Sequence, residues 1–338
     1  MKKLYLLLML CMMGMFVGQE DAQAANLHAD LGETVYSDVS NVLKEKYPKA
    51  TQVVVHVGKN KTLRINSKKI TSVIIHSKGN TPVSIIGAPN VKRVYYHAEE
   101  NTSTLDFRKA KGYEKVASFD FNAEATVKKL ILPKMNKLKY LWIDNNLQDI
   151  DLNNNKSVKE AEFTNTSINS ISFRGFNKLE RLYFYKAGPN TQNLLKELNL
   201  SGCTSLTHLD FVPTKVTSLD LSTCSSLKFV SLGRKIKKLT LRKNHTYDDM
   251  HVYKHPSALK LLNTNCKEIL VTLNYKKKKL NLRKQMPWLS SNTTFKLSED
   301  SYYNGAIISK NGVLTWSSGR VEFTAKSGGK KIRFSIGV

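Results

Sequence analysis

The sequence predicts a mainly β solenoid with few helices, built from coils of about 21 residues. An apolar residue, two variable positions, an apolar residue, one variable position and a third apolar residue recur along the chain, as in Leu138/Leu141/Ile143 and Leu206/Leu209/Phe211. Successive triplets lie about ten residues apart, which is too short for a crossover helix and its loops. Two sub-repeats alternate, so two triplets make one coil, and stacked coils bury a continuous core between parallel strands.

The composition agrees with a folded chain and indicates an anionic partner. The chain has 338 residues, 41% of them hydrophobic, which is enough to bury a core, and its formal net charge is +26. Residues 228–338 hold 23 of the 53 Lys and Arg but only 6 of the 27 Asp and Glu. The positive excess therefore lies mainly in the last third of the chain, where it either binds polyanions or only solubilises the surface.

The first 24 residues have the layout of a secretory signal peptide. Lys2 and Lys3 precede an apolar run from Leu4 to Val17, and Ala22 to Ala24 offers small residues for cleavage. The run is short for a membrane span, and no second run of spanning length follows. We therefore expect residues 1–24 to be removed and the mature chain to be exported, without a transmembrane span, to the cell surface, the periplasm or the medium.

Residues 25–50 are predicted to cap the first coil. Their apolar side chains recur at nearly helical spacing over residues 31–47, and Pro48 would end the helix. The residues of this stripe are Leu31, Val35, Val39, Val42, Leu43 and Tyr47. Thr51–Val57 alternates apolar and polar residues and is predicted to be the first strand of a solenoid that spans residues 51–244.

The repeats also carry a family resemblance. Leu198–Phe211, followed by Val216–Leu227, resembles the 21-residue leucine-rich repeats of exported bacterial proteins, and is similar to the internalin-like class whose ladder position takes Asn or Cys. This resemblance implies a solenoid with a concave β-sheet that serves adhesion or ligand recognition, with no catalysis and no cofactor. The ladder positions are Asn146, Asn155, Thr166, Cys203, Thr214, Cys224 and Asn244, and the pattern is broken at Met135, Phe176, Ala187 and Lys235.

Cys203 and Cys224 are one coil apart and should stack on neighbouring coils. A buried ladder of small side chains and a disulfide both fit this spacing. With Cys266, three cysteines remain after cleavage of the leader, so at least one of them is unpaired.

Residues 245–338 are predicted to form a C-terminal β module, similar to a small β-sandwich. Aromatic and β-branched residues are frequent there, and turns are indicated at Asn304-Gly305, Asn311-Gly312 and Gly328-Gly329. The Lys276–Lys279 run would form a hairpin tip.

Aromatic and polar side chains on one strand series predict a ligand-binding face on the concave sheet. Side chains two residues apart on a strand point the same way, and exposed aromatic groups suit a protein or glycan ligand. The alternative is that the rings cover one another and bind nothing. The candidate residues are Arg93, Tyr95, Tyr140, Trp142, Tyr183, Tyr185, His208 and Phe229.

A second candidate site is a basic cluster for an anionic polysaccharide or an envelope surface. We expect no nucleic-acid partner, because the chain is expected to be exported and has no recognisable nucleic-acid module. The cluster consists of Arg234, Lys235, Lys237, Lys238, Arg242, Lys276, Lys277, Lys278 and Lys279.

Catalytic motifs are missing from the sequence. It holds no H-E-x-x-H, no G-x-S-x-G and no P-loop, and neither His97 with Glu99 and Glu100 nor the Asp248–His251 segment has a spacing that compels a metal. We therefore expect an exported surface binding or adhesion protein without metal or cofactor. The alternative is a right-handed β-helix polysaccharide lyase that acts on a polyanionic glycan, because its coils are of similar length.

Overall fold

The chain folds as a β-solenoid of about 11 turns with 6% helix. The computed structural model describes residues 28–153, 155–186, 194–212, 214–233, 235–253, 256–262, 266–272, 278–299, 301, 305–327 and 329–337. The predicted signal peptide, residues 1–24, lies outside the described residues.

One long sheet runs along the whole solenoid. Its neighbouring strands are parallel from β1 to β27, and the last two pairs are antiparallel. In spatial order the strands are β1 (His28–Val35), β2 (Gln52–His56), β4 (Ser72–Ser77), β6 (Arg93–Ala98), β8 (Ser118–Ala123), β10 (Tyr140–Asp144), β12 (Glu160–Thr164), β14 (Arg181–Tyr185), β16 (His208–Asp210), β18 (Phe229–Leu232), β20 (Tyr247–Tyr253), β21 (Cys266–Thr272), β27 (Lys330–Gly337), β26 (Val321–Ser327) and β23 (Thr294–Leu297).

Shorter strands form the second side of the coils. They pair in parallel with the equivalent strands of the next coil, in small separate sheets. These strands are β3 (Thr62–Arg64), β5 (Ser84–Ile86), β7 (Thr102–Asp106), β9 (Val127–Ile131), β11 (Ile150–Asp151), β13 (Ser170–Ser172), β15 (Glu197–Asn199), β17 (Ser218–Asp220) and β19 (Lys238–Thr240).

The recurring apolar triplets build the core, as the sequence predicts. Leu138, Leu141 and Ile143 are all at most 1% exposed, and so are the equivalent positions of most other coils. Aromatic residues stack between coils, as Phe163 does on Phe184 with ring centroids 5.3 Å apart. A single coil cannot close its own core, so each coil completes the core of its neighbours.

The predicted ladder is confirmed at its centre. Asn155 is 3% exposed; its Oδ1 accepts from the Met135 amide at 2.7 Å, and its Nδ2 donates to the Pro133 and Leu152 carbonyls at 2.9 and 2.7 Å. One side chain thus pairs backbone groups of two coils that would otherwise be buried without partners.

The cysteines occupy the ladder as buried thiols rather than as a disulfide. Cys203 Sγ lies 3.2 Å from the Phe173 carbonyl, and Cys224 Sγ lies 3.8 Å from the Leu200 carbonyl. No disulfide joins these two cysteines. Burial raises the pKa of each thiol to about 12, so both are protonated and unreactive at neutral pH.

Two of the predicted ladder asparagines, Asn146 and Asn244, are exposed, and Asn146 Nδ2 still donates to the Ala123 and Glu124 carbonyls at 3.2 and 3.1 Å. At two of the predicted breaks, the large apolar side chains of Met135 and Phe176 are buried in place of a polar one. Lys235 is exposed, and Ala187 lies outside the described residues.

The predicted helix over residues 31–47 is wrong in its first half. Residues 28–35 form β1, which pairs in parallel with β2, and the only part that is helical is α1 (Ser40–Lys46). Gly32 has a φ of 64°, which an α-helix does not accommodate. The edge of β2 also offers backbone hydrogen-bond partners, which the local helix propensity of residues 31–35 does not take into account. The long sheet therefore begins at His28, and Gln52–His56 is its second strand.

The sheet also crosses the predicted boundary at residue 244. β20 and β21 continue the parallel pairing, and β27 joins β21, so that the antiparallel strands β26 and β23 extend the same sheet. A small antiparallel sheet, β22 (Lys279–Asn281), β25 (Val313–Thr315) and β24 (Ile307–Ile308), lies beside them. A sandwich-like module is not confirmed; the domain division itself remains a prediction.

The turn predicted at Asn311-Gly312 joins β24 to β25, where Gly312 has a φ of 73°. The C-terminal part also holds a 3-10 helix (Pro256–Leu261) and α2 (Leu282–Gln285). Among the residues that the structure describes, no helix is long and apolar enough to cross a membrane.

Candidate functional site

The parallel register of the long sheet arranges its outward side chains in rows that cross the strands. One such row contains Tyr140, Glu160 and Arg181, which occupy paired positions on three neighbouring strands although they are 20 and 21 residues apart in sequence. Because neighbouring strands are about 4.8 Å apart, side chains in one row are direct neighbours. We call the three outward rows between β6 and β16 the central face.

The members of the central face come from every second position of each strand. The first row is Arg93, Ser118, Tyr140, Glu160, Arg181 and His208; the second is Tyr95, Asp120, Trp142, Glu162, Tyr183 and Asp210; the third is His97, Asn122, Asp144, Thr164 and Tyr185.

Two pairs of parallel aromatic rings lie on this face. The rings of Tyr140 and Trp142 have centroids 5.7 Å apart and planes 6° apart, and those of Tyr183 and Tyr185 are 5.5 Å and 12° apart. Tyr140 is 40% exposed and Tyr185 38%. Each pair lies on one strand, and the strand between them carries Glu160, Glu162 and Thr164 (β12). Two aromatic walls about 10 Å apart thus flank a carboxylate-bearing strand.

Not every predicted site residue joins these pairs. Arg93 and Tyr95 lie on β6, two strands before Tyr140, and both are half-buried. His208 on β16 and Phe229 on β18, one and two strands beyond β14, stack on each other with ring centroids 4.3 Å apart. Tyr185 is the last residue of its strand, β14. The eight candidates therefore share one sheet surface but form separate groups along it.

The central face is rich in carboxylates, which sequence reasoning missed. Its three rows, which the structure describes completely between β6 and β16, contain two arginines and no lysine. The carboxylates are Asp120, Asp144, Glu160, Glu162 and Asp210. Because alternate positions of each strand point outwards, only the strand register shows that these side chains share a surface. On a chain of net charge +26 this face is locally acidic.

Burial perturbs several of these carboxyl groups. It raises the pKa of Asp120 to about 7, an effect that Glu162 reinforces and Arg93 opposes. It raises the pKa of Asp144 to about 6, and hydrogen bonds from Asn145 and Asn165 reduce the shift. Carboxyl groups with raised pKa values are frequent at functional sites, which makes the central face a candidate site.

The basic cluster is divided between two sheets. Lys238 lies on β19 opposite Ser218, next to the exposed Lys237, whereas Lys279 lies on β22 opposite Thr315. Lys278 donates a hydrogen bond to the Ser317 carbonyl, and Arg242 Nη1 donates one to the Ser222 carbonyl at 3.4 Å. Lys235 is exposed on its own turn, and Arg234, Lys276 and Lys277 lie outside the described residues. The described cations therefore form two groups, neither of which belongs to the central face.

At the N-terminal end of the third row, three histidines follow one another on adjacent strands. His56, His76 and His97 are 20 and 21 residues apart, and each takes the same register position, so their one-coil spacing is a signal that sequence reasoning missed. Burial, together with His56 and His97, lowers the pKa of His76 to about 4. His76 is thus neutral at pH 7, and its 3.5 Å contact with Glu99 is not an ion pair.

Comparisons with known proteins show no family for the chain. No model of a protein family matches the chain, and no curated protein matches it. Among solved structures, the chain is similar to the functional domain of InlJ from Listeria monocytogenes, which includes a cysteine ladder. The identity is 13%, the match covers 92% of this chain and 89% of that chain, and the TM-score is 0.25. With so low a TM-score, the solenoid assignment rests on the strand register and not on this match.

Proposed function

We propose that the chain is an exported leucine-rich-repeat protein that binds a neutral or cationic ligand, best a hydroxyl-rich glycan, on the central face. One observation carries this proposal: two aromatic pairs, each with one exposed ring, stand on either side of the carboxylates of β12. Aromatic rings offer apolar faces to a sugar or a protein side chain, and carboxylates accept hydrogen bonds from hydroxyl or amine groups.

The charge of the face selects among ligands. Glu160 is held by Arg181 at 3.3 Å, whereas Glu162 accepts from the Thr164 hydroxyl at 3.1 Å and keeps oxygen lone pairs for a ligand. A sulfated or uronate-rich chain would meet these carboxylates and be repelled. This argues against a lyase for polyanionic glycans with its cleft on the central face.

Replacing Trp142 or Tyr183 by alanine is expected to weaken ligand binding tenfold or more, because aromatic anchors carry much of the energy of such interfaces. The ligand is first identified on a glycan and protein array and then titrated by calorimetry. Ile307→Ala is the matched control, because Ile307 is 65% exposed and lies on the separate β22–β25–β24 sheet. Equal affinity of Trp142→Ala and the native chain, with an unchanged circular-dichroism spectrum, would exclude this face.

Ultraviolet absorbance after incubation with pectin, alginate and glycosaminoglycans tests the lyase alternative in the same samples. Unsaturated products absorb, whereas bound but intact glycans do not. Absorbance growth with any of these substrates would replace the binding proposal by an enzymatic one.

The basic residues outside the central face provide a second, independent binding property. Lys237→Ala with Lys238→Ala is expected to elute from a heparin column at lower salt than the native chain, because exposed charges attract polyanions through a salt-screened force. The control pair Lys109→Ala with Lys111→Ala removes the same charge from another exposed turn. Equal elution of the two double variants would show that net charge alone governs retention.

A further inference from the structure

The histidines at the N-terminal end of the third row come together with a carboxylate. His56 Nδ1 and His76 Nδ1 lie 3.8 Å and 3.5 Å from Glu99 Oε1, and the three ligand atoms are all within 4.8 Å of one another. Their side chains are 15%, 13% and 17% exposed. Two imidazole nitrogens and one carboxylate oxygen therefore converge on one point just below the surface.

The backbone holds each of these groups in place. His56 and His76 are register partners on β2 and β4, and their rings stack with centroids 4.6 Å apart. Glu99 follows β6, and its amide donates to the Ser77 carbonyl at 3.2 Å, which continues the parallel pairing of β6 with β4 by one residue. Three consecutive coils thus supply one group each, on rigid strand ends rather than on a free loop.

A polar atom at this point has no partner within the protein. His56 Nδ1 is buried and makes no hydrogen bond, and it lies 3.8 Å from the Glu99 carboxylate. An unpaired buried ring nitrogen costs free energy that a bound cation would recover. This observation is independent of the clustering and indicates the same point.

From this geometry we propose that His56, His76 and Glu99 bind a divalent first-row transition metal ion, of which Zn²⁺ is the best fit. Nitrogen ligands lie about 2.0 Å from Zn²⁺, so atoms around a tetrahedral ion are roughly 3.3 Å apart, close to the two distances from Glu99. Imidazole nitrogens disfavour Ca²⁺ and Mg²⁺, which prefer oxygen ligands.

The ion would link β2, β4 and β6 across the first coils. Three protein ligands leave the fourth position to water or to a neighbour. His97 Nδ1 lies 3.2 Å from His76 Nδ1, so that metal binding would replace this hydrogen bond. The site is separate from the aromatic pairs and does not depend on the proposed function of the central face.

Titration calorimetry on the full chain, purified without a polyhistidine tag and dialysed against chelator, tests the proposal with ZnCl₂. We expect one saturable Zn²⁺ per chain, no competition by Mg²⁺ in excess, and a higher melting temperature with Zn²⁺, because an ion that binds only the folded state stabilises it. Co²⁺ in place of Zn²⁺ should give the visible absorption of a four-coordinate site.

His76→Ala and Glu99→Gln should each weaken Zn²⁺ binding at least tenfold. Glu99→Gln keeps the side chain's size and protects the test against misfolding, which circular dichroism monitors. His251→Ala, a histidine on β20 of the same sheet, is the control and should bind as the native chain does. Absence of saturable uptake, or uptake that neither His76→Ala nor Glu99→Gln weakens, would overturn the proposal.

Discussion

Replacing Asn155 by alanine is expected to lower the free energy of unfolding by about 3 kcal/mol. The substitution removes three side-chain hydrogen bonds and leaves the buried Met135 amide with no partner, and each lost bond costs about 1 kcal/mol, or more where a buried group stays unpaired. Urea denaturation followed by circular dichroism measures the change.

Two further variants show whether the reach of Asn155 between coils is responsible. Asn155→Thr should lose less than alanine, because Thr214 at an equivalent position donates to the carbonyl three residues before it, in its own coil, at 2.8 Å. Asn136→Ala, at an exposed turn nearby, should change stability by less than about 0.5 kcal/mol. A stability of Asn155→Thr equal to that of the native chain would contradict the role of the bonds to the preceding coil.

Replacing Asp120 by asparagine is expected to stabilise the protein at pH 8 by about 2–3 kcal/mol and to have little effect near pH 4. The Asp120 side chain is 8% exposed, and its Oδ1 lacks a hydrogen-bond partner. Its pKa of about 7 in the folded state lies above the value near 3.9 of an unfolded aspartate, so the folded state binds the proton more tightly. Stability therefore falls as the pH rises from about 4 to 7, and the full penalty is present above pH 7.

The expected gain is smaller than the roughly 4 kcal/mol that a shift of three pKa units represents, because the buried amide of asparagine also needs partners. The free energy of unfolding in urea is compared at pH 4.5 and pH 8. Asp149→Asn is the control, since Asp149 is 51% exposed and pairs with Lys129 at 3.0 Å. Parallel pH profiles for Asp120→Asn and the native chain would show that Asp120 ionises normally.

The same substitution tests the link between stability and function on the central face. Asp120 lies between Tyr95 and Trp142 in the second row. If the carboxyl group is kept for the ligand, Asp120→Asn should weaken ligand binding while it stabilises the fold, which is the usual exchange at functional sites.

Local sequence patterns predict the strands of the repeats well and the first residues of the fold poorly. The triplets around Leu141 and Leu209 predict buried strands because inward positions alternate along a strand, whatever the distant neighbours are. Residues 31–35 were assigned to a helix because their spacing also fits a helical stripe, and only the free edge of β2 decides for a strand.

The candidate sites could also be predicted only in part from the sequence. Aromatic residues at two-residue spacing could be found in the sequence, and so could the ladder at Asn155 and Cys203. The acidic character of the central face could not, because Glu160 and Glu162 become neighbours of Trp142 and Tyr183 only through the register of three strands. The proposed metal site likewise depends on the strand register, which brings His56, His76 and Glu99 of three coils together.

The sequence by itself therefore determined that the chain is a repeating β-solenoid, because the triplets and the ladder are short-range signals that each coil carries within itself. Only the tertiary structure decided where the solenoid begins and which side chains share a surface. Parallel pairing converts a sequence separation of about 20 residues into a distance of about 4.8 Å, and a shift of one residue would turn a side chain to the opposite face.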